Sequence, residues 1–433
     1  MNRFSGSLAT ALAVSLLLLT TISAQQREQM VDNPTALLRV GEDQTKAIKV
    51  NEAIYQAIGF GNTFMVTTSE GNVIIDTSLV FNARRHHKLL KAESSAPIKY
   101  IILTHGHGDH TGGVPLWKEA GTEIIAQEEH VEFMHYQTRL AGFFAGRNAA
   151  QFALAIPPPG AWAGNYGAKI APTILFDEKH DMTLGGLKFE ILHTPGETPD
   201  HLTVWIPQYK AAFVGDNFYE SFPNIYTLRG TKPRWALDYV ESLNRIIALK
   251  PEILLPSHGL PIKGNEEITR ALTRYRDAIL YVHDEVVKGM NAGKDVYILM
   301  REVMLPANLD IGESYGKLTW SVRGIYEGYA GWFDLDPATL YETPPSAVYP
   351  DLVKAAGGID SVIKIAIDKI ESGHTVEALR LTEVALAAEP ANRKALEARL
   401  RALEKLRDQC RNSNERGWLD HSIRVTKEKL AQK

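Results

Sequence analysis

A chain of 433 residues is too long for one ordinary hydrophobic core, which favours two or three domains. Its hydrophobic content of 45% and charged content of 23% are those of a folded protein. The formal net charge of −4 is small for this length and no lysine–arginine block stands out, which sets nucleic-acid partners aside.

Residues 1–24 read as an export signal: Arg3 supplies the positive start, LATALAVSLLLL from Leu8 to Leu19 the apolar run, and TTISAQQ the small residues of a cleavage site, expected after Ala24. The apolar core is shorter than the roughly 20 residues of a spanning helix, so no stable membrane span is expected after cleavage. A periplasmic or secreted location follows. The single Cys410 cannot form an internal disulfide, so even in an oxidising compartment the fold must rest on burial and bound metal.

From 25 to 264 short apolar runs alternate with turns and amphipathic stretches, the pattern of an α/β sandwich. FMVTTSEGNVIIDTS predicts a hairpin with strands near Thr63–Thr68 and Asn72–Asp76 about a Glu70–Gly71 turn. IKYIILTH predicts a buried strand that runs into THGHGDH, and LKFEILHTPGETPDHLTVWIP predicts strand, loop, strand. AAFVGDNF and PEILLPSHG are each an apolar run ending in polar residues.

After Gly264 the period lengthens. Ile268, Leu272, Tyr275, Ile279, Val282 and Val286 recur four and three apart, a helical stripe that fits either a buried helix or a dimer surface. The aromatic-dense SYGKLTWSVRGIYEGYAGWFDLDP follows, so 265–345 is expected to form a helical domain closed by the linker ETPPSAVYP. In 346–433, GHTVEALRLTEVALAAEPANRKALEARLRAL has the small-residue and Pro-Ala-Asn spacing of a tetratricopeptide-like helix pair, which cannot fold alone.

The chemistry lies at the strand ends. His105, His107, Asp109 and His110 fall within six residues, directly after the strand that ends at Thr104. Neutral imidazole and carboxylate are the donors that hold zinc, and manganese or iron accept the same set. Gly106, Gly108, Gly112 and Gly113 are expected to let the backbone turn tightly around bound ions. Glu197, Asp216 and His258 follow other predicted strands and can converge with the cluster on one edge. His193 and His201 flank Glu197 and compete with it, although each also fits a satisfied loop histidine.

Together THGHGDHTGG, the Asp76 hairpin, TPGETPDH, VGDN and LLPSHG resemble the metallo-β-lactamase superfamily over about residues 45 to 264. The resemblance implies an αββα sandwich, here followed by an all-α extension, with a binuclear site of two divalent ions, zinc being expected, and hydrolytic chemistry. By position it implies that His105, His107 and Glu197 hold one metal, that Asp109, His110 and His258 hold the other, and that Asp216 bridges them. Asp76 would support the metal loop from behind. A glutamate where most members have histidine resembles the alkylsulfatase branch, although Asp216 stands where that branch typically carries glutamate.

Two further stretches resemble that branch. NIYTLRG is similar to its sulfate-binding segment, which makes Asn224 and Arg229 substrate-binding candidates, with Asp109, Asp216 and Arg229 as the catalytic set. A planar guanidinium can grip a charged sulfate ester in two places. MLPANLDIGESYGKLTWSVRGIYEGYAGWFDLDPATL resembles the helical dimerisation domain, which implies a homodimer. AGRNAAQFALAIPPPG matches the branch's active-site loop only loosely, with Gln151 in place of an expected tyrosine, and the reading expects a chain without the family's sterol-carrier-like C-terminal domain. The expected substrate is a small alkyl sulfate ester. A lactone, thioester or phosphodiester hydrolase on the same scaffold, or a helical interaction protein with a structural metal site, are the rival readings.

Overall fold

The computed structural model describes residues 34–155 and 171–432, so the expected signal at 1–24 and the PPPG end of the loosely matched loop lie outside the described residues. The chain forms two compact units. Of the described residues, one unit comprises those of Leu38–Ala150 and Ala155–Leu340; the other comprises those of Tyr341–Lys433 with Gln151–Leu154 and Pro34–Leu37.

In the first unit two sheets share a core. One has the order β1 (Ile48–Lys49), β2 (Ile54–Ala57), β3 (Thr63–Thr68), β4 (Gly71–Ile75), β5 (Ile98–Ile102), β6 (Glu123–Gln127) and β7 (Ile174–Phe176). The other runs β13 (Ile262–Lys263), β12 (Ile253–Pro256), β11 (Ala211–Gly215), β10 (Leu202–Ile206), β9 (Leu187–His193) and β8 (Lys179–Leu184). The predicted hairpin is β3–β4, paired Thr68 to Gly71, so its turn is Ser69–Glu70, one residue earlier than expected.

The period-2 rule sorts each strand's side chains between layers. Phe64, Val66, Val73, Ile75, Ile102, Val204, Ile206, Phe213 and Leu255 fill the space between the sheets. Their neighbours Met65, Ile74 and Ile101 face outward onto Leu89 and Leu90 of helix α1 (Val80–Lys91) and Trp117. On the other outer face Trp205, Ala212, Val214 and Leu254 meet Tyr239, Leu243 and Ile246 of α2 (Ala236–Ala248) and the stripe of α3 (Asn265–Asn291). Helix, sheet, sheet, helix is the αββα arrangement expected.

All six stripe residues of α3 are buried within this unit's core, together with Val322 and Ile325 of α4 (Leu318–Ala330). The stripe is therefore a core face, and it does not argue for a dimer. In the second unit helices at Ile359–Glu371, Thr375–Ala388, Arg393–Gln409 and Ser413–Ala431 follow one another through short loops. Val362, Ile363, Ala385, Ala395 and Ala398 form its core.

Candidate metal centre

The loops after β4, β5, β9, β11 and β12 meet at one edge of the sandwich. Cross-sheet bonds fix the meeting: the Leu202 amide donates to the Thr104 carbonyl at 2.8 Å, and the Asn62 amide to the Ser257 carbonyl at 2.8 Å. Asp76, fully buried just past β4, sits at φ 55°, a left-handed conformation that aspartate tolerates better than most residues. Its Oδ1 accepts from the Thr104 amide at 2.8 Å. Its Oδ2 accepts from the Thr104 hydroxyl at 2.8 Å and the Ser257 hydroxyl at 2.9 Å, and lies 2.8 Å from His110 Nδ1. Four such bonds hold the strained backbone in place and leave His110 Nε2 facing the other donors.

The donor atoms fall into two groups: Asp109, His110, Asp216 and His258, and His105, His107 and Asp216. Asp216 belongs to both. His258 Nε2 lies 3.1 Å from Asp216 and 3.6 Å from Asp109 Oδ2, and His110 Nε2 lies 3.4 Å from each carboxylate. His105 Nε2 is 2.8 Å from His107 Nδ1 and 3.8 Å from Asp216 Oδ2. Glu197 stands just outside these groups, its Oε1 3.9 Å from His107 Nδ1. The structure thus brings six of the seven predicted donors into two groups that share Asp216, with Glu197 beside the second.

His201, the rival to Glu197, is engaged elsewhere: its Nε2 accepts from the Asp216 amide at 3.0 Å, and its ring stacks on His105. A side chain at Gly215, φ +52°, would place Cβ 2.3 Å from that nitrogen, so only glycine fits. His193 Nε2 lies 2.8 Å from the Pro199 carbonyl. The loop glycines act differently from the expectation, for none of the four has positive φ. Gly106, Gly112 and Gly113 are required by close approach to Phe133, to the Gly108 carbonyl and to the Thr77 carbonyl, whereas a Cβ added at Gly108 would meet nothing within 4 Å.

The electrostatics are those of a site that takes cations. Burial pushes His105 and His107 well below the usual imidazole range, reinforced by His110 for the first and Arg229 for the second, so both are neutral donors. Burial raises Asp216, but His258 and His110 outweigh it and hold the carboxyl well below its usual range. Asp109 and Asp216 form no ion pair with arginine or lysine among the described residues, and His110 Nε2 and Asp216 Oδ1 are buried with no hydrogen-bond partner. Buried carboxylates need compensating positive charge: without metal His110 and His258, whose burial is outweighed by Asp216 and Asp109 so that both are shifted upward, supply it, and a divalent ion can take the place of their protons. The residues fit the implied metals.

Around this edge stand further groups, of which Arg234, Tyr239, Asn217 and Arg147 were not singled out from the sequence and Arg229 and Asn224 were. Arg234, 6% exposed, pairs Nη1 with Glu197 Oε2 at 2.5 Å, and the Tyr239 hydroxyl lies 3.2 Å from that same oxygen. The Asn217 amide oxygen accepts from the Glu197 amide at 3.1 Å, and burial still pushes the Glu197 carboxyl up to about 7 against the pull of Arg234. Arg229 Nη2 lies 3.5 Å from His107 Nε2, and Arg147 holds the Arg229 and Leu228 carbonyls at 2.8 and 2.6 Å. Asn224 is buried, and neither atom of its side-chain amide has a hydrogen-bond partner among the described residues. Gln151 falls in the second unit, where its carbonyl packs against Gly417.

An αββα sandwich with imidazole and carboxylate loops gathered at one sheet edge defines a metallohydrolase class, and the metallo-beta-lactamase superfamily profile matches residues 57–258. A second profile, alkyl sulfatase dimerisation, matches residues 299–425 and so runs across both units. The chain is 32% identical over 378 residues to a linear primary-alkylsulfatase of a Pseudomonas species, covering 82% of this chain and 72% of that one. It is 29% identical to an alkyl/aryl-sulfatase of Saccharomyces cerevisiae, covering 83% of this chain and 60% of that one. The solved structure of a stereoselective inverting sec-alkylsulfatase from a Pseudomonas species superposes with a TM-score of 0.79 at 23% identity, over 88% of this chain and 65% of that one. The chain belongs to the alkylsulfatase family of the metallo-β-lactamase superfamily, and spans 60–72% of the length of these relatives.

Proposed function

We propose that this chain is a binuclear-metal hydrolase that cleaves alkyl sulfate esters to alcohol and sulfate. His105, His107 and Glu197 would hold one ion, Asp109, His110 and His258 the other, and Asp216 both, with zinc as the ion. The observation that carries this reading is the pair of donor groups sharing Asp216, with His110 Nε2 and Asp216 Oδ1 buried and unbonded. When bound, such ions supply positive charge against an ester's oxygens and lower the pKa of coordinated water.

The rest belongs to the chain's own residues. Asp76 on His110 Nδ1 and Thr104 Oγ1, 3.2 Å from His105 Nδ1, orient those rings with Nε2 toward the donor group. Arg229 at the His107 edge offers a guanidinium fork to a sulfate, and the unbonded amide of buried Asn224 offers a further donor. The domain division at 25–264, 265–345 and 346–433, the tetratricopeptide-like character of the last helices, a homodimer and an exported location complete the proposal. The dimerisation profile supports the dimer. No helix of the described residues is long and apolar enough to cross a membrane.

Metal analysis of the purified chain, paired with a substrate panel, tests the reading. Two ions per chain and turnover of dodecyl sulfate are expected. Turnover of lactones or phosphodiesters with none of dodecyl sulfate would overturn the substrate class. Hydrolysis in oxygen-18 water then places the label in the alcohol for attack at carbon, or in the sulfate for attack at sulfur.

A further inference from the structure

Of the three carboxylates at the centre, Asp109 and Asp216 face imidazoles, and Glu197 alone is paired with a guanidinium. The pair is buried on both sides, with side-chain exposures of 2% for Arg234 and 5% for Glu197. Arg234 has no other ion pair among the described residues. Its Nη1 also donates to the Asn224 carbonyl at 2.7 Å, and its Nε and Nη2 have no hydrogen-bond partner. Both contacts that Glu197 receives on its carboxylate, from Arg234 and Tyr239, fall on Oε2, while Oε1 is the oxygen nearest His107. The carboxylate is thus divided: one oxygen is occupied by the protein, the other is turned to the donor group.

We propose that Arg234 is a positioning residue that makes Glu197 an electrically neutral, one-oxygen donor to the metal shared with His105 and His107. This rests on the metal reading above. A carboxylate beside buried imidazoles adds a full negative charge that the guanidinium offsets, so His105, His107 and Glu197 together carry no net charge and Asp216 is left as that group's one anionic donor. Arg234 also blocks Oε2, which prevents the two-oxygen grip that a free carboxylate takes on a cation. Exchanging the carboxylate for a neutral ligand then turns Arg234 from a partner into a buried, unpaired cation next to the metal, and removing that cation relieves the defect.

The test is a double-variant cycle on the full chain, stripped of metal and titrated with zinc against a chromophoric chelator. Glu197→His should bind zinc at the weakened site about 30-fold less tightly, within the range lost when a ligand's supporting charge is wrong. Glu197→His/Arg234→Met should recover to within about fivefold of the parent, and Glu197→His/Arg234→Lys, which keeps the charge, should stay as weak as Glu197→His. A double variant no better than Glu197→His, or a Glu197→His chain that binds like the parent, overturns the proposal. The first result would reduce Arg234 to a brace for the Asn224 carbonyl. Thermal unfolding of each metal-free chain verifies folding, and Glu197→His/Arg234→Gln carries the same expectation should the methionine variant not fold. A parent chain that holds no zinc defeats the metal reading and this inference together; a parent that holds two ions, without recovery in the cycle, defeats this inference alone.

Discussion

Asp76 and Arg234 are both buried and each contacts a proposed metal ligand, yet one was legible in the sequence and the other was not. Asp76 directly follows a hairpin strand whose apolar run and turn are visible in FMVTTSEGNVIID, so its place is fixed by local pattern. Arg234 meets Glu197 across 37 positions of chain, and a single long-range charge pair leaves no periodic trace. The same holds for Tyr239, Asn217 and Arg147. A second buried group shows what burial does where no metal is involved. His86 is enclosed by the Ile58 carbonyl at 3.0 Å and the Thr63 hydroxyl at 2.9 Å, and burial, reinforced by Arg85, depresses its pKa to about 3. The unfolded chain, with an ordinary imidazole near 6.5, takes up a proton that the folded chain refuses, so stability is intact above pH 6.5 and is lost as pH falls from there towards 3. At pH 5 the loss is about 2 kcal/mol, from about 1.4 kcal/mol per unit below 6.5. Urea unfolding of the metal-free chain at pH 7 and pH 5 should show a loss to which buried His105, His107 and His201 also contribute, and His86→Gln should reduce it by about 2 kcal/mol; an equal loss in the variant would show that His86 contributes nothing to it.

At the scale of elements, strands and helices were legible wherever the period was clean. β3, β5, β10, β11 and β12 lie where the apolar runs placed them, and the α3 stripe is helical over its full length. What the stripe faces could not be read, because an intramolecular core and a dimer seam impose the same spacing; the burial of Tyr275 and Ile279 against β11 and β12 residues decides it. The glycines of the metal loops show a similar limit: sequence identifies a glycine but not whether torsion or crowding demands it. Gly215 is demanded by both, with φ +52° and His201 Nε2 2.3 Å from a Cβ, whereas Gly108 is demanded by neither. Gly215→Ala should therefore cost about 2–4 kcal/mol, the sum of a left-handed penalty and a displaced buried ring. Gly108→Ala should stay within about 1 kcal/mol of the parent and can stabilise it by restricting the unfolded chain. Chemical denaturation of the two metal-free variants side by side checks this, and equal losses would contradict it.

At the scale of the whole chain, the proposed ligands are segregated into one of the two units. Every proposed metal ligand lies between His105 and His258, in the unit that ends at Leu340, while the helices from Ile359 to Ala431 belong to the other unit and contribute no donor to either group. The dimerisation profile crosses that division at 299–425, so sequence families and compact units do not share a boundary here; the proline-containing stretch ETPPSAVYP begins just after the division. The segregation has a thermodynamic consequence. A ligand that binds only the folded form stabilises by RT ln(1 + [L]/Kd), about 4 kcal/mol for free metal at a thousand times Kd, and that stabilisation acts on the conformations whose opening separates the donors. Removing metal with a chelator should therefore speed amide exchange by up to about a thousandfold in the loops at 104–113, 194–201, 215–219 and 256–259, held together now by bonds such as Asp76 to Ser257 and Asp216 to His201. Exchange in Thr375–Ala388 and Arg393–Gln409 should not change, because nothing that binds the metal opens with them. Peptide-resolved hydrogen exchange with and without chelator reads both regions in one experiment. Equal acceleration in the C-terminal helices would mean that the two units open as one cooperative body, and acceleration in neither would mean that the strand-end loops hold their geometry without the ions.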